Sequence, residues 1–186
     1  MNAADQHIVI SILDQLLFLY AENTIVKRYP IATAKNGISQ QEGSECTPLG
    51  RHQIVEKIGV DAAENAVFIG RQWNGELYTE NLAYENPERD WILTRILWLG
   101  GLENGFNSGY LEHKKALKQI TKQPHKPAIS CDTKKRYIYI HGCPDSHAMQ
   151  IPSSHGCIKM RNNDIIELFD SVTVNTKVLI QLTHSN

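Results

Sequence analysis

No run of this chain is apolar and long enough to span a bilayer, and no basic residue precedes Lys27, so its start lacks the charged opening of a secretory leader. The run Leu16 to Tyr20 is too short to be the apolar centre of such a leader. A cytoplasmic location is therefore expected. Its reducing conditions imply free thiols at Cys46, Cys131, Cys143 and Cys157. None of these cysteines is spaced as a C-x2-C knuckle, which argues against a structural zinc site. A net charge of -1 provides no bulk field for nucleic acid, and there are no repeats or low-complexity tracts. What remains is an ordinary globular composition, 41% hydrophobic and 21% charged. The 186 residues suffice for one substantial core, so a single domain over residues 1–186 is expected, with no cofactor signature.

Most of the pattern is strand-like. Ile8, Ile10 and Ile12 alternate with Val9 and Ser11, and the runs Leu16 to Tyr20 and Ile25 to Ala32 follow across polar pairs, as in a β-meander. Residues 33–50 contain Gly37, Gly43, Ser44 and Pro48 and read as a long loop, a feature that often carries function in a compact domain. Gln53 to Ile58 and Ala66 to Ile69 read as strands, and residues 71–90 as a polar, weakly patterned connection. Trp91 to Leu99 reads as a strand buried on both faces, with Arg95 inside it. That arginine is either a structural ion-pair partner or a guanidinium turned into a cleft to hold a substrate carboxylate.

Leu111 to Ile120 has helical spacing, and residues 112–136 hold eight Lys or Arg against Glu112 and Asp132. Such a run is either a solvated helix face or a patch that draws in an anionic ligand. Near the C-terminus, Asn162 or Asn163 can cap a helix that places Ile165, Leu168, Phe169 and Val172 on one face, with Asp164 favouring the dipole. Lys177 to Leu182 then closes the domain as a strand.

The chemistry concentrates between Tyr137 and Met160. Tyr137 to Ile140 is a β-branched and aromatic run ending at His141-Gly142, as a strand would deliver a side chain to its end. After the break at Pro144-Asp145 comes Ser153-Ser154-His155-Gly156-Cys157, a turn-like segment with glycine beside a thiol. A cysteine attacks as the thiolate and needs a base close by, and glycine lets backbone N–H groups approach a substrate carbonyl. Cys157 as nucleophile and His141 as base on separate segments is the layout of a thiol acyl-transfer site.

His141-Gly142 followed by SHGCIKM resembles the signature of the L,D-transpeptidase (YkuD-type) catalytic domain. Thr47-Pro48-Leu49-Gly50 is similar to that family's TPxG segment, and Asp164 to Leu168 to its post-cysteine helix, so the likeness runs from about Ile8 to Leu182. The resemblance implies a mainly β, sandwich-like fold with one or two packed helices. It implies that the Gly142 carbonyl orients His141, and that the backbone of His155, Gly156 and Cys157 forms an oxyanion hole. Ser154 is a candidate substrate-binding residue, unless it fixes that loop or is a plain turn serine. Lys159 stands where the family usually has arginine, which keeps the charge for a substrate carboxylate and loses the bidentate geometry; Arg161 is the candidate to compensate. Cys143 brings a second thiol near the site, either inert or able to pair with Cys157 under oxidation. The basic stretch at about 111–136 is longer than the family core and reads as an insertion.

By this resemblance the substrate is a peptidoglycan-derived tetrapeptide or muropeptide, cleaved between meso-diaminopimelate and the terminal D-Ala. A cytoplasmic member is expected to be an L,D-carboxypeptidase of murein recycling. The alternative is an L,D-transpeptidase forming cross-links. A rival of another class is a non-enzymatic zinc protein using His141, Cys143, His147, His155 and Cys157.

Overall fold

The computed structural model describes residues 6–111 and 128–184. The meander forms as expected: β1 (Gln6–Ser11), β2 (Leu16–Ala21) and β3 (Thr24–Pro30) are antiparallel neighbours. β4 (Gly50–Ile58), β5 (Ala66–Ile69) and β7 (Leu93–Gly101) follow the patterned runs, and β10 (Lys177–Gln181) closes the domain parallel to β1 and antiparallel to β4. With β6 (Gln72–Leu77) at the edge, the resulting order is β3-β2-β1-β10-β4-β7-β5-β6, a mainly β fold with a mixed sheet. Two short strands, β8 (Tyr139–Gly142) and β9 (Ile158–Met160), branch from β7. No helix among the described residues is long and apolar enough to cross a membrane.

The connection at residues 71–90 is more structured than its polarity suggests. It contains the edge strand β6 (Gln72–Leu77) and the helix α1 (Glu80–Glu85), whose first turn is capped by Thr79 Oγ1 accepting from the Leu82 N–H at 3.1 Å. β6 is largely exposed and pairs with β5, so it carries no apolar alternation to read.

β7 is buried along nearly its whole length and is the hub of the molecule, pairing with β4, β5 and β8. Its register slips between Leu93 and Ile96, where Thr94 adopts φ +69°. The bulge sends Arg95 away from the cleft: Nη1 donates to the Ala62 carbonyl at 2.6 Å and to the Thr94 carbonyl at 2.7 Å, and the guanidinium lies 5.6 Å from the Phe169 ring. Neither reading of Arg95 holds. It is no substrate ligand of this cleft, and among the described residues it forms no ion pair. Backbone carbonyls and an aromatic face offset part of the cost of its burial instead, while Nε has no partner among the described residues.

Helix α2 (Asn162–Ser171) packs on β7 and β8 through Ile165, Leu168 and Phe169, with Val172 just beyond it, all in the main core with Ile140, Ile158 and Met160. The expected asparagine cap is not used. Arg161 occupies the cap position without a side-chain bond, and Asn162 is buried, accepting from Thr94 Oγ1 at 2.6 Å and donating to Asn65 Oδ1 at 2.8 Å. A side chain on Gly142 would collide with Asn162 Oδ1 and would lie 2.8 Å from the Leu93 carbonyl, so glycine is what lets α2 approach the end of β8. The helix expected at Leu111 to Ile120 lies outside the described residues, as does most of the basic segment. Of that segment's basic residues Lys134, Lys135 and Arg136 are described: Lys134 and Lys135 are exposed, whereas Arg136 donates to the carbonyls of Ser39 at 3.0 Å and Cys46 at 2.7 Å, tying down the long loop.

Candidate active site

β8 and β9 are parallel, with Ile140 opposite Ile158 and His141 opposite Lys159. The two-residue period of a strand therefore puts Tyr139 and His141 on one face of β8, and Cys157 and Lys159 on the same face of the neighbouring chain. All four line one cavity of about 460 Å³, together with Arg71, Asp90, Arg136, Tyr137, Ser154 and His155.

His141 is 1% exposed, and its Nδ1 lies 2.8 Å from the carbonyl of Gly142. A carbonyl only accepts, so Nδ1 carries the proton and Nε2 is left free to take one. Burial pulls the imidazole below its ordinary pKa, the charge of Asp90 opposes that, and Lys159 adds to it. Cys157 is half-buried; its sulfur receives the Tyr139 N–H at 3.4 Å and rests 3.5 Å from the Tyr137 carbonyl. Burial pushes this thiol up to about 12, against the smaller lowering effects of the Tyr139 N–H, Lys159 and Arg136. Burial thus disfavours the charged form of both groups, which suits proton transfer in step with attack rather than a standing thiolate.

The loop bearing the thiol is held from several directions. Ser154 is buried; its Oγ donates to the Cys157 carbonyl at 2.6 Å and accepts the Gly156 N–H at 3.2 Å. That makes Ser154 a fastening of the loop rather than a free hydroxyl for substrate. The Gly156 amide is consequently engaged, whereas in this loop the N–H groups of His155 and Cys157 form no hydrogen bond to a described residue. Gly156 has φ +133° and a side chain there would meet Ile138 Cδ1 at 3.0 Å and the Cys46 carbonyl at 3.3 Å, so any other residue would be strained. Thr47 Oγ1 donates to the Gly156 carbonyl at 3.0 Å and accepts the Ala34 N–H at 3.0 Å, which joins the Thr47-Pro48-Leu49-Gly50 segment to the nucleophile loop.

Lys159 is 5% exposed, its Nζ donating to the Ser153 carbonyl at 3.3 Å, and it lies between the thiol cavity and a smaller one lined by His147 and Ser153. Arg161 does not compensate for it. Its Nη1 donates to the Asp145 carbonyl at 2.6 Å, with the Asp145 carboxylate at 3.8 Å, and it does not line the thiol cavity. Cys143 is fully buried, donates to the Met160 carbonyl at 3.4 Å, and is pushed by burial to about 11, an inert core thiol. The zinc reading fails on placement. His141, His155 and Cys157 share the cleft, but Cys143 points into the core and His147 lines the other cavity, and no metal-binding group of three or more His, Cys, Asp or Glu occurs among the described residues.

Sequence reasoning did not find Arg71, Asp90, Arg136, Tyr137 and Tyr139 as cleft residues. Arg71 and Asp90 fall in the stretch read as a plain connection. Tyr139 could have been found, because it shares the period-2 face of His141.

No curated protein sequence matches this chain. The profile of the YkuD family, described as the L,D-transpeptidase catalytic domain, matches residues 5–180. Among solved structures, the fold is similar to L,D-transpeptidase 3 from Mycobacterium tuberculosis in complex with a faropenem-derived adduct, at 13% identity and TM-score 0.51 over 95% of this chain and 60% of that one. It is similar to the Ldtfm-avibactam carbamoyl enzyme, at 17% identity and TM-score 0.51 over 97% and 50%. It is also similar to the L,D-transpeptidase from Mycobacterium smegmatis, at 12% identity and TM-score 0.50 over 95% and 58%. This chain therefore spans between 50% and 60% of the length of these solved proteins. The match of the family profile over nearly the whole chain, with the fold of these neighbours, establishes that the chain belongs to the YkuD family of L,D-transpeptidase catalytic domains.

Proposed function

We propose that the chain is a cysteine acyl-transfer enzyme of peptidoglycan stem peptides, and that it acts as an L,D-carboxypeptidase on tetrapeptides or muropeptides from wall turnover, met in the cytoplasm. The observation that carries the chemistry is that Cys157 and His141 line one cavity while the Gly142 carbonyl sets the tautomer that leaves Nε2 unprotonated. The Cys157 sulfur attacks the carbonyl carbon at the L-centre of meso-diaminopimelate, and His141 Nε2 takes the thiol proton. The N–H groups of His155 and Cys157 receive the oxyanion. As the C–N bond breaks, the D-Ala amine takes that proton from His141 and leaves a thioester. His141 then deprotonates water, which attacks the thioester to release the tripeptide and restore the thiol.

Water as acceptor needs no second peptide beside the acylated one in the cleft of about 460 Å³. A second reading, cross-linking, draws on an adjoining cavity of about 240 Å³ that shares Arg136, Tyr137, Ile138 and His155 with the first and carries Glu42 and Glu45 beside Lys135, room for an acceptor peptide next to the thiol cavity. Incubation with free and with sugar-linked tetrapeptide, followed by weighing of the products, separates the two. Tripeptide and D-Ala alone support the hydrolase, and dimers support the transpeptidase.

A further inference from the structure

One residue of the cleft is held in a costly backbone conformation and has donors to spare. Arg71 sits in the two-residue turn between β5 and β6, where Ile69 pairs with Gln72 and both central residues are left-handed, Gly70 at φ +56° and Arg71 at φ +69°. That turn ordinarily takes Asn-Gly or Gly-Gly, and a long side chain at such a position marks a site where something other than local stability is at stake. The side chain reaches back over the cleft. Its guanidinium carbon lies 4.6 Å from the centre of the Trp98 ring and 5.0 Å from that of Tyr137, and Nη1 donates to Tyr139 OH at 3.3 Å. The two rings are themselves stacked at 6.0 Å, so the guanidinium rests on a prepared aromatic surface.

An arginine has five N–H donors, and among the described residues this one uses a single hydrogen bond and forms no ion pair. The other cations of the cleft are committed, Arg136 to loop carbonyls and Lys159 to Ser153. Among the described residues the one acidic side chain lining the cavity is Asp90, which is exposed and not bonded to Arg71. A planar fork held flat on aromatic rings, its polar edge free and facing a cavity that contains a nucleophile, matches a carboxylate.

We propose that Arg71 is a specificity residue that binds a carboxylate of the ligand entering the Cys157 cleft. That this ligand is a stem peptide rests on the peptidoglycan reading above; the preference for an anion does not. The stacking holds the guanidinium so that little freedom is lost on binding.

The test uses alkylation of Cys157 by two reagents that differ in charge, iodoacetate and iodoacetamide, followed by peptide mass mapping. In the wild type the ratio of the two rates at Cys157 exceeds that of a free thiol in the same buffer. In Arg71→Gln the ratio falls by about threefold to tenfold, the range for one partly exposed charge-assisted contact. Arg71→Lys keeps the charge and most of the ratio, which separates anion recognition from stacking alone. An unchanged ratio in Arg71→Gln overturns the proposal. Tetrapeptides amidated at one carboxylate each then identify the group: amidation at the recognised position weakens turnover by the wild type and has no further effect on Arg71→Gln. If every amidation penalises both enzymes equally, the stem-peptide part is overturned. If the wild type turns over no tetrapeptide, the function proposed above fails while the alkylation ratio still decides the role of Arg71.

Discussion

Thr47 Oγ1 donates to the carbonyl of Gly156 at 3.0 Å, a bond that spans more than half of the chain and fixes the residue before the nucleophile. The same oxygen accepts the Ala34 N–H, and Thr47 is fully buried, so one hydroxyl satisfies two backbone groups that water cannot reach.

Thr47→Val keeps the shape and removes both bonds. The expected cost is about 1–3 kcal/mol of stability, the penalty of leaving buried polar groups unpaired. A larger fractional loss is expected in kcat than in KM, because the backbone donors beside Cys157 move out of line. Denaturant unfolding and steady-state kinetics on the same preparation check this; a variant with unchanged kcat would show that the bond does not position the loop.

The pH dependence of kcat/KM follows from His141. Its pKa lies below the ordinary 6.5 because burial disfavours the imidazolium, so the neutral base persists into mildly acid solution and the acid limb of the profile falls below pH 6.5. Asp90 favours the charged form, so Asp90→Asn moves that limb to lower pH; Lys159 disfavours it, so Lys159→Gln moves it to higher pH. Shifts in the opposite directions would contradict the electrostatic account of the cleft.

His52 supplies a stability switch away from the cleft. It is fully buried between the Gly50 carbonyl at 2.9 Å and Thr133 Oγ1 at 3.1 Å, and burial lowers its pKa to about 4. The unfolded chain binds this proton first, near pH 6.5, so stability is complete above that pH and falls as the pH drops toward 4. The loss approaches about 3 kcal/mol from this group. His52→Asn removes that part of the slope. Urea unfolding at pH 7 and pH 5 reads it, and equal pH dependence in both proteins would remove His52 from the account.

Acylation by carbapenems is expected at Cys157. The wild type should gain the mass of one drug molecule and Cys157→Ala none, with little change in melting temperature, since the half-buried thiol contributes chemistry more than packing. An adduct on the variant would move the nucleophile elsewhere.

How much of this was legible in the sequence depended on whether a pattern was local. The apolar runs of β1, β2, β7 and α2 carry their own periodicity, and the His141 and Cys157 motifs sit where strand and turn chemistry put them. β6 is an exposed edge strand and α1 buries no residue, so neither has a pattern to read. The direction of Arg95 depends on the bulge at Thr94, on a strand that pairs with three others distant in sequence. Arg71 reaches the cleft through a hairpin turn and two rings that are distant in sequence, a juxtaposition set by topology alone.

The most direct test of the central claim is to mix the enzyme with tetrapeptide, quench rapidly in acid and map the peptides by mass. The account predicts a tripeptidyl thioester on the fragment containing Cys157, release of D-Ala, and neither of these in Cys157→Ala. Turnover that persists in Cys157→Ala, or an acyl group found on Cys143 instead, would contradict it.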